Sequence, residues 1–331
     1  MKAVTNLIQV VILVIIVVVL ISYTFIFFSN YFSETQRSSK TTINKTLQTL
    51  NAGLSIESIS ETDEGLNTSI FVRNTGNQDL TQIAVFIDNS LATIESPQII
   101  RVDSVATIKI LRYISNGNHQ IKISTAEGAE SIKNYDPCNG SNVVLCLGFD
   151  EGLGTTAKDD SFYENNGTIS GSPSWTQGRY NQALNFNGIN NYISLPNNTN
   201  LNMTGNFFVS VWLKPNALDN FTIIGDDLGS FFKWRITTES SLAGNIIEFR
   251  LGLISVRTGS LLNTNYWHYM KGIYNFTHIT LYIHREDGLN EISSSTAGFP
   301  ITTLSGNKLI GKNHTTKYFN GLIDEIRIKT L

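Results

Sequence analysis

Charge is scarce in this 331-residue chain: Asp, Glu, Lys and Arg make up 15% of it, against about 25% in an ordinary soluble domain. The 24 basic and 27 acidic side chains leave a net charge of −3. No basic excess is present to neutralise phosphates, so nucleic acid is not an expected partner. Cysteine is limited to two residues and histidine to five. Two thiols without a nearby His pair do not make a structural zinc site, and His119, His268, His278, His284 and His314 show no metal-ligand spacing. A glycine-rich phosphate loop and a nucleophile elbow are both missing. Uncharged polarity takes the place of charge, with 35 Asn, 31 Ser and 33 Thr. With 41% hydrophobic and 10% aromatic residues the chain still has ample material for packed cores, so disorder does not explain the composition. Its length exceeds what one core usually fills, which predicts at least two folding units.

The longest uncharged stretch lies at the N-terminus. Leu7 to Phe28 (LIQVVILVIIVVVLISYTFIFF) is interrupted only by Gln9, Ser22 and Thr24. As a helix it would be about 33 Å long, enough to cross a hydrocarbon core of about 30 Å. A cleaved secretory signal would have a shorter apolar region and a small-residue cleavage site, which Ser22-Tyr23 does not offer. Lys2 precedes the span while Arg37, Lys40 and Lys45 follow it, so the positive-inside rule does not fix orientation. The downstream domains set the expectation instead: N-terminus in the cytoplasm, residues after about 30 outside the cell. Asn30 to Leu50 contains no Gly or Pro and places Ile43, Leu47 and Leu50 on one helical face, which extends the helix as a stalk of roughly 45 residues in all.

From Leu54 to about Tyr135 the pattern changes to period two. LSIESIS, NTSIFVRN, TQIAVFID, VATIKILR and HQIKIST alternate apolar and polar positions, with turn signals at Asn74-Thr75-Gly76-Asn77, Asp88-Asn89 and Asn116-Gly117-Asn118. About seven strands in roughly 80 residues predict an immunoglobulin-like sandwich over 54–137. The opening MKAVTNLIQVVILVIIVVVLIS, together with IFVRNTGNQDLTQIAVFID, resembles archaeal type IV pilins and archaellins. That resemblance implies a leader processed between Lys2-Ala3 and Val4 and self-assembly through the N-terminal helix. Thr5-Asn6 stands where the family commonly has Ser-Pro, and plain membrane anchoring is the alternative.

Cys138 and Cys146 flank a turn-rich segment at the junction to the third region. Outside the cell such a pair reads as a disulfide, with two free thiols as the alternative. Beyond it, in order, come Phe149-Asp150-Glu151, the loop DDSFYENNG with Asp159, Ser161, Asn165 and Gly167, then Gly178-Arg179, Ala183-Leu184, Phe186 and Gly188. Trp212 and Pro215, Trp267-His268 and Gly272, and finally Gly321, Asp324 and Arg327 complete the series. This ordered set resembles a laminin-G-like domain of the concanavalin A-like lectin/glucanase superfamily over about residues 141–331. The expected fold class is therefore mainly β: a membrane helix and stalk over 1–53, a small sandwich over 54–137, and a jelly-roll sandwich over 138–331.

Members of that superfamily that hydrolyse glucans carry a string resembling E-x-D-x-x-E, because an acid and a nucleophile must flank one bond. This chain has none, and neighbours such as Asp324-Glu325 are expected on opposite strand faces. No enzymatic activity is expected. Trp212 and Trp267, in apolar strands, are expected in the core. The resemblance implies a structural calcium ion held by Asp150, Asp159, Asn165 and Asp324, oxygen donors suited to a hard cation; turn caps or pairs with Arg179 and Arg327 are the alternative. It also implies glycan binding, for which Phe232 and Trp234 are candidate contacts. Sequons begin at Asn44, Asn67, Asn139, Asn166, Asn197, Asn202, Asn220, Asn275 and Asn313 and become glycosylation candidates if exported. The expected function is a membrane-anchored or pilin-like surface protein presenting a lectin-like domain for adhesion. The rival readings are a filament subunit with a decorating domain and, third, a glycan hydrolase.

Overall fold

A computed structural model describes residues 2–62, 65–203, 205–218, 221–226, 234–241, 244–252, 254–258, 262–264, 266–297, 307–313 and 317–331. The chain opens with one uninterrupted helix, Lys2–Asn51, without a breaker anywhere in its 50 residues. Every side chain from Val10 to Asn51 is exposed, and the helix is long and apolar enough to cross a membrane. Within its apolar part the hydroxyls of Ser22 and Thr24 donate to the carbonyls of Val18 and Leu20 at 2.8 and 2.9 Å.

The helix ends against the Asn74-Thr75-Gly76-Asn77 turn. Asn77 N–H donates to Asn51 O at 2.8 Å, Thr75 N–H to Gly53 O at 3.1 Å, and Gln78 Nε2 to Gln48 O at 2.6 Å, so terminal carbonyls that a helix leaves open find partners. Gly76 is required there because a Cβ would lie 2.4 Å from Asn51 O. The middle region then forms two four-stranded sheets. One contains Leu54–Glu61, Thr68–Asn74, Val105–Ile110 and Ile94–Glu95; the other contains Glu130–Tyr135, His119–Ser124, Ala84–Ile87 and Ser90–Leu91. The alternation works as the sequence pattern predicts: Ile70, Val72, Ile108, Ile110, Ile121 and Ile123 meet in one core. The described strands exceed the expected seven because short two-residue pieces, including Leu80–Thr81 paired with Ile99–Ile100, close the edges.

The third region is a sandwich of two eight-stranded sheets around a core of its own. Cys138 and Cys146 are disulfide-bonded, tying the linker to the strand Val143–Leu147, which pairs with the last strand Asn320–Thr330. That last strand is central to the front sheet. It pairs on one side with Phe207–Pro215 and on the other first with Gln182–Asn187 and then with Val143–Leu147. Where it changes partner, the register slips opposite Ser210 and Trp212, and Glu325 adopts φ 52°. This is a β-bulge, which places one extra residue on one strand. Ile323, Ile326 and Ile328 face the core, so Asp324 and Glu325 both leave it. Their expected placement on opposite faces is corrected by the bulge.

The bulge presents Glu325 and Arg327 to the middle domain, where both are buried. Arg327 bonds Glu61 and Asn116, donates to Ile114 O at 2.6 Å, and sits 4.6 Å from the ring centre of Tyr113. Glu325 Oε2 accepts Asn116 N–H at 2.8 Å and Tyr113 Oη–H at 3.2 Å. Farther along, Lys271 Nζ reaches Thr62 O at 3.2 Å. Gly65, at φ +75°, passes so close to Tyr269 that a Cβ would lie 2.1 Å from the phenol oxygen. Removing one partner from a buried ionic network leaves the others uncompensated at a cost of about 3–5 kcal/mol. Arg327→Ala is expected to lower the unfolding free energy by about that amount, read by urea denaturation in detergent; a loss below about 1 kcal/mol would contradict the junction described.

Candidate functional site

The outward face of the front sheet is built from cross-strand rows. Asp324, Trp212, Tyr269, His284 and Asn290 stand side by side across five strands, and the next row runs Arg327, Ser210, Lys271, Tyr282 and Ile292. The middle domain lies on the Arg327 end of these rows. Tyr113 packs against Trp212 and Tyr269 with ring centres 5.8 and 5.5 Å apart. Trp212 is buried, but in this aromatic cluster between domains rather than in the sandwich core expected for it; Trp267 belongs to the same cluster. The covered half of the face is therefore an interface. The uncovered half, carrying Tyr282, His284, Asn290 and Ile292, forms the floor of a cleft.

A second element completes the cleft: the turn Arg179–Gln182, clamped between two carboxylates. Asp324 Oδ2 accepts the N–H groups of Arg179 and Tyr180 at 2.8 and 3.0 Å. Asp150 accepts Gln182 N–H at 2.9 Å and Asn181 Nδ2 at 3.0 Å. The clamp aims Arg179 and Tyr180 over the aromatic floor. The Arg179 guanidinium lies 5.2 Å from the Trp212 ring centre, and its Nη1 donates to Glu286 at 2.9 Å. The opposite wall belongs to the middle domain and consists of Leu66, Asn67, Leu111, Arg112 and Tyr113. The whole encloses about 430 Å³, within the range of small-ligand sites. Tyr180 and Tyr282 are half-buried and line the cleft, the Tyr180 ring packed against Tyr113 and Trp212 with centres 5.3 and 6.0 Å away. The Trp212 indole N–H is buried with no acceptor among the described residues.

Residues 187–330 match the Laminin_G_3 family model, described as the concanavalin A-like lectin/glucanases superfamily. The third region is a concanavalin A-like sandwich. Its first strand, Val143–Leu147, lies upstream of the matched segment yet pairs within the same front sheet. No curated protein matches the chain. Among solved structures, the chain is similar to domain 4 of AbnA, a GH43 extracellular arabinanase from Geobacillus stearothermophilus, in complex with arabinotriose. The identity is 22% over 57% of this chain and 92% of that one, with a TM-score of 0.47. Mouse laminin alpha1 domains LG4-5 share 11% identity over 84% of this chain and 78% of that one, TM-score 0.34. Trypanosoma rangeli sialidase shares 10% over 80% and 46%, TM-score 0.41.

The four oxygen donors expected to share a calcium ion fall into two pairs. Asp150 and Asp324 hold the Arg179–Gln182 turn. Asp159 accepts from Cys146 N–H, Ser161 N–H, Ser161 Oγ–H and Asn165 N–H, while Asn165 bonds Val144 O, Asn200 and Asn198. That pair folds the 159–165 loop onto the first strand of this concanavalin A-like sandwich. The carboxylates are thus occupied as turn clamps, and no cluster of three or more His, Cys, Asp or Glu residues suited to a metal is found among the described residues. These residues do not fit a single shared cation. Phe232 and Asn220 lie outside the described residues, and Trp234 opens the strand Trp234–Ser241 on the back sheet. Lys2, Ala3 and Val4 lie inside the first helix turns. Of the sequons, Asn44, Asn139, Asn166, Asn197 and Asn275 are exposed, Asn67, Asn202 and Asn313 half-buried. Asn67 stands on the cleft wall.

Burial, with Glu325 and Asp150 nearby, raises Asp324 to about 9 from its ordinary 3.8. Burial likewise raises Glu325 to about 7 from 4.5, although Arg327 opposes the shift. Both groups hold their protons in the folded chain at pH values where the unfolded chain has released them. Their stabilising contribution is complete below about pH 4 and is lost as pH rises toward 9. The melting temperature of the solubilised protein is expected to fall over that interval, and Asp324→Asn to flatten the decline. A wild-type melting temperature that rises from pH 5 to 9 would contradict the burial of this pair.

Proposed function

We propose that this chain is a membrane-anchored surface protein that binds glycans in the cleft between its two β-domains. One observation carries the reading: a concave site lined by half-buried Tyr180 and Tyr282 is rimmed by Asn67, Arg112, Arg179, His284 and Asn290. Sugar rings have apolar faces that pack on aromatic rings and hydroxyls that bond to planar amide and guanidinium groups, and this lining supplies both partners. The lectin/glucanase description of residues 187–330 supports the same class of ligand. The exposed apolar helix supports anchoring, with the stalk holding the sandwiches away from the bilayer. Binding is preferred to hydrolysis because Glu291 is the one carboxylate lining the cleft among the described residues, whereas glycoside cleavage takes two.

A filament subunit is the second reading. A helix apolar on every side suits a filament core as well as a bilayer, and cleavage after Ala3 with filaments in shear fractions would favour it. For the primary reading, full-length protein in detergent is applied to a glycan array and the strongest hit titrated. Tyr282→Ala is expected to weaken binding about tenfold, near 1.4 kcal/mol. Unchanged affinity would remove the cleft from the account.

A further inference from the structure

We infer that the cleft selects glycans bearing a carboxylate, as uronic acids do, with Arg112 and Arg179 as the pair that holds it; this rests on the cleft being the glycan site. The two guanidiniums come from different domains and line the same cavity. Arg112 follows the middle-domain strand Val105–Ile110, is exposed, and has no hydrogen bond or ion pair among the described residues. Arg179 is partly committed: Nη1 serves Glu286, while Nε and Nη2 have no partner among the described residues. Its plane is held by the Trp212 and Tyr180 rings, with centroid distances of 5.2 and 5.8 Å.

A stacked guanidinium is pre-organised, so it loses little side-chain freedom when it binds. Its fork also matches a planar carboxylate in a two-bond arrangement. Glu286 offsets part of the Arg179 charge, Glu291 lines the cleft, and Asp88 acts on Arg112 through space, so what Arg112 has to offer is an uncommitted hydrogen-bonding fork rather than a surplus charge. Aromatic walls lower the local dielectric and strengthen the attraction for an anion between them. A neutral sugar would gain the aromatic contacts of the cleft but leave the Arg112 fork without a planar two-oxygen acceptor. An acidic sugar satisfies both, and only while the domains are docked do the two arginines share a cavity.

The test uses the full chain in detergent micelles, titrated with oligogalacturonate, oligoglucuronate and the carboxyl-reduced neutral form of each. The acidic forms are expected to bind at least about tenfold tighter than their neutral counterparts at 0.05 M salt, with the gap narrowing at 0.5 M salt. Arg112→Gln is expected to remove most of that gap by weakening the acidic forms at least about fivefold more than the neutral forms, with the melting temperature unchanged at this exposed position. Equal affinity for acidic and neutral forms, or a gap that Arg112→Gln does not alter, overturns the inference while the cleft stands. Binding of none of the four, or binding that Tyr282→Ala leaves untouched, overturns the cleft reading itself.

Discussion

The buried guanidinium of Arg327 constrains everything around it. It lies in the last strand of the chain but makes its bonds with Glu61, Ile114 and Asn116 of the middle domain. An apolar junction can slide or rotate with little penalty. A charged group with donors in a fixed fork, removed from water and satisfied by acceptors on two segments of a neighbouring domain, tolerates no such freedom. The two sandwiches are thereby held in one orientation, and the cleft beside them has a defined shape rather than a range of shapes. Tyr113 adds aromatic packing to the same contact, covering both the Arg327 plane and the Trp212 ring.

The route from the apolar helix to the cleft is a chain of such fixed joints. The helix passes its terminal carbonyls to the turn around Gly76, the first strands of the middle domain carry Glu61 and Gly65 to the jelly-roll face, and Arg327 locks them there. On the jelly-roll side, Asp150 and Asp324 fix the Arg179–Gln182 turn. Each cleft wall thus rests on a buried or half-buried polar contact, an arrangement suited to a pre-formed site whose binding free energy is not consumed in ordering loops.

Much of this was legible in the sequence because both domains obey simple alternation. The parity that sends Ile279, Leu281 and Ile283 inward also sends Tyr282 and His284 outward, so part of the cleft floor could be read from period two alone. Parity failed at Asp324-Glu325, where a single bulged residue with positive φ turned both side chains out of the sandwich core, Glu325 onto the middle domain and Asp324 onto the Arg179–Gln182 turn. Asp150, Asp159, Asn165 and Asp324 stood out in the sequence as oxygen donors, but spacing does not separate a metal ligand from a carboxylate that holds a turn. Asn67, Arg112 and Tyr113 carried no motif. Their role comes from the docking of two domains, and long-range docking leaves no periodic trace in the chain.

The central claim is that both domains together make one ligand site. Hydrogen–deuterium exchange on the full-length protein, with and without a bound oligosaccharide, tests it most directly. Ligand is predicted to slow exchange at once in 65–68 and 111–114 of the middle domain and in 180–183 and 282–292 of the jelly-roll. Protection confined to jelly-roll loops remote from these segments, with the middle-domain segments unchanged, would contradict it.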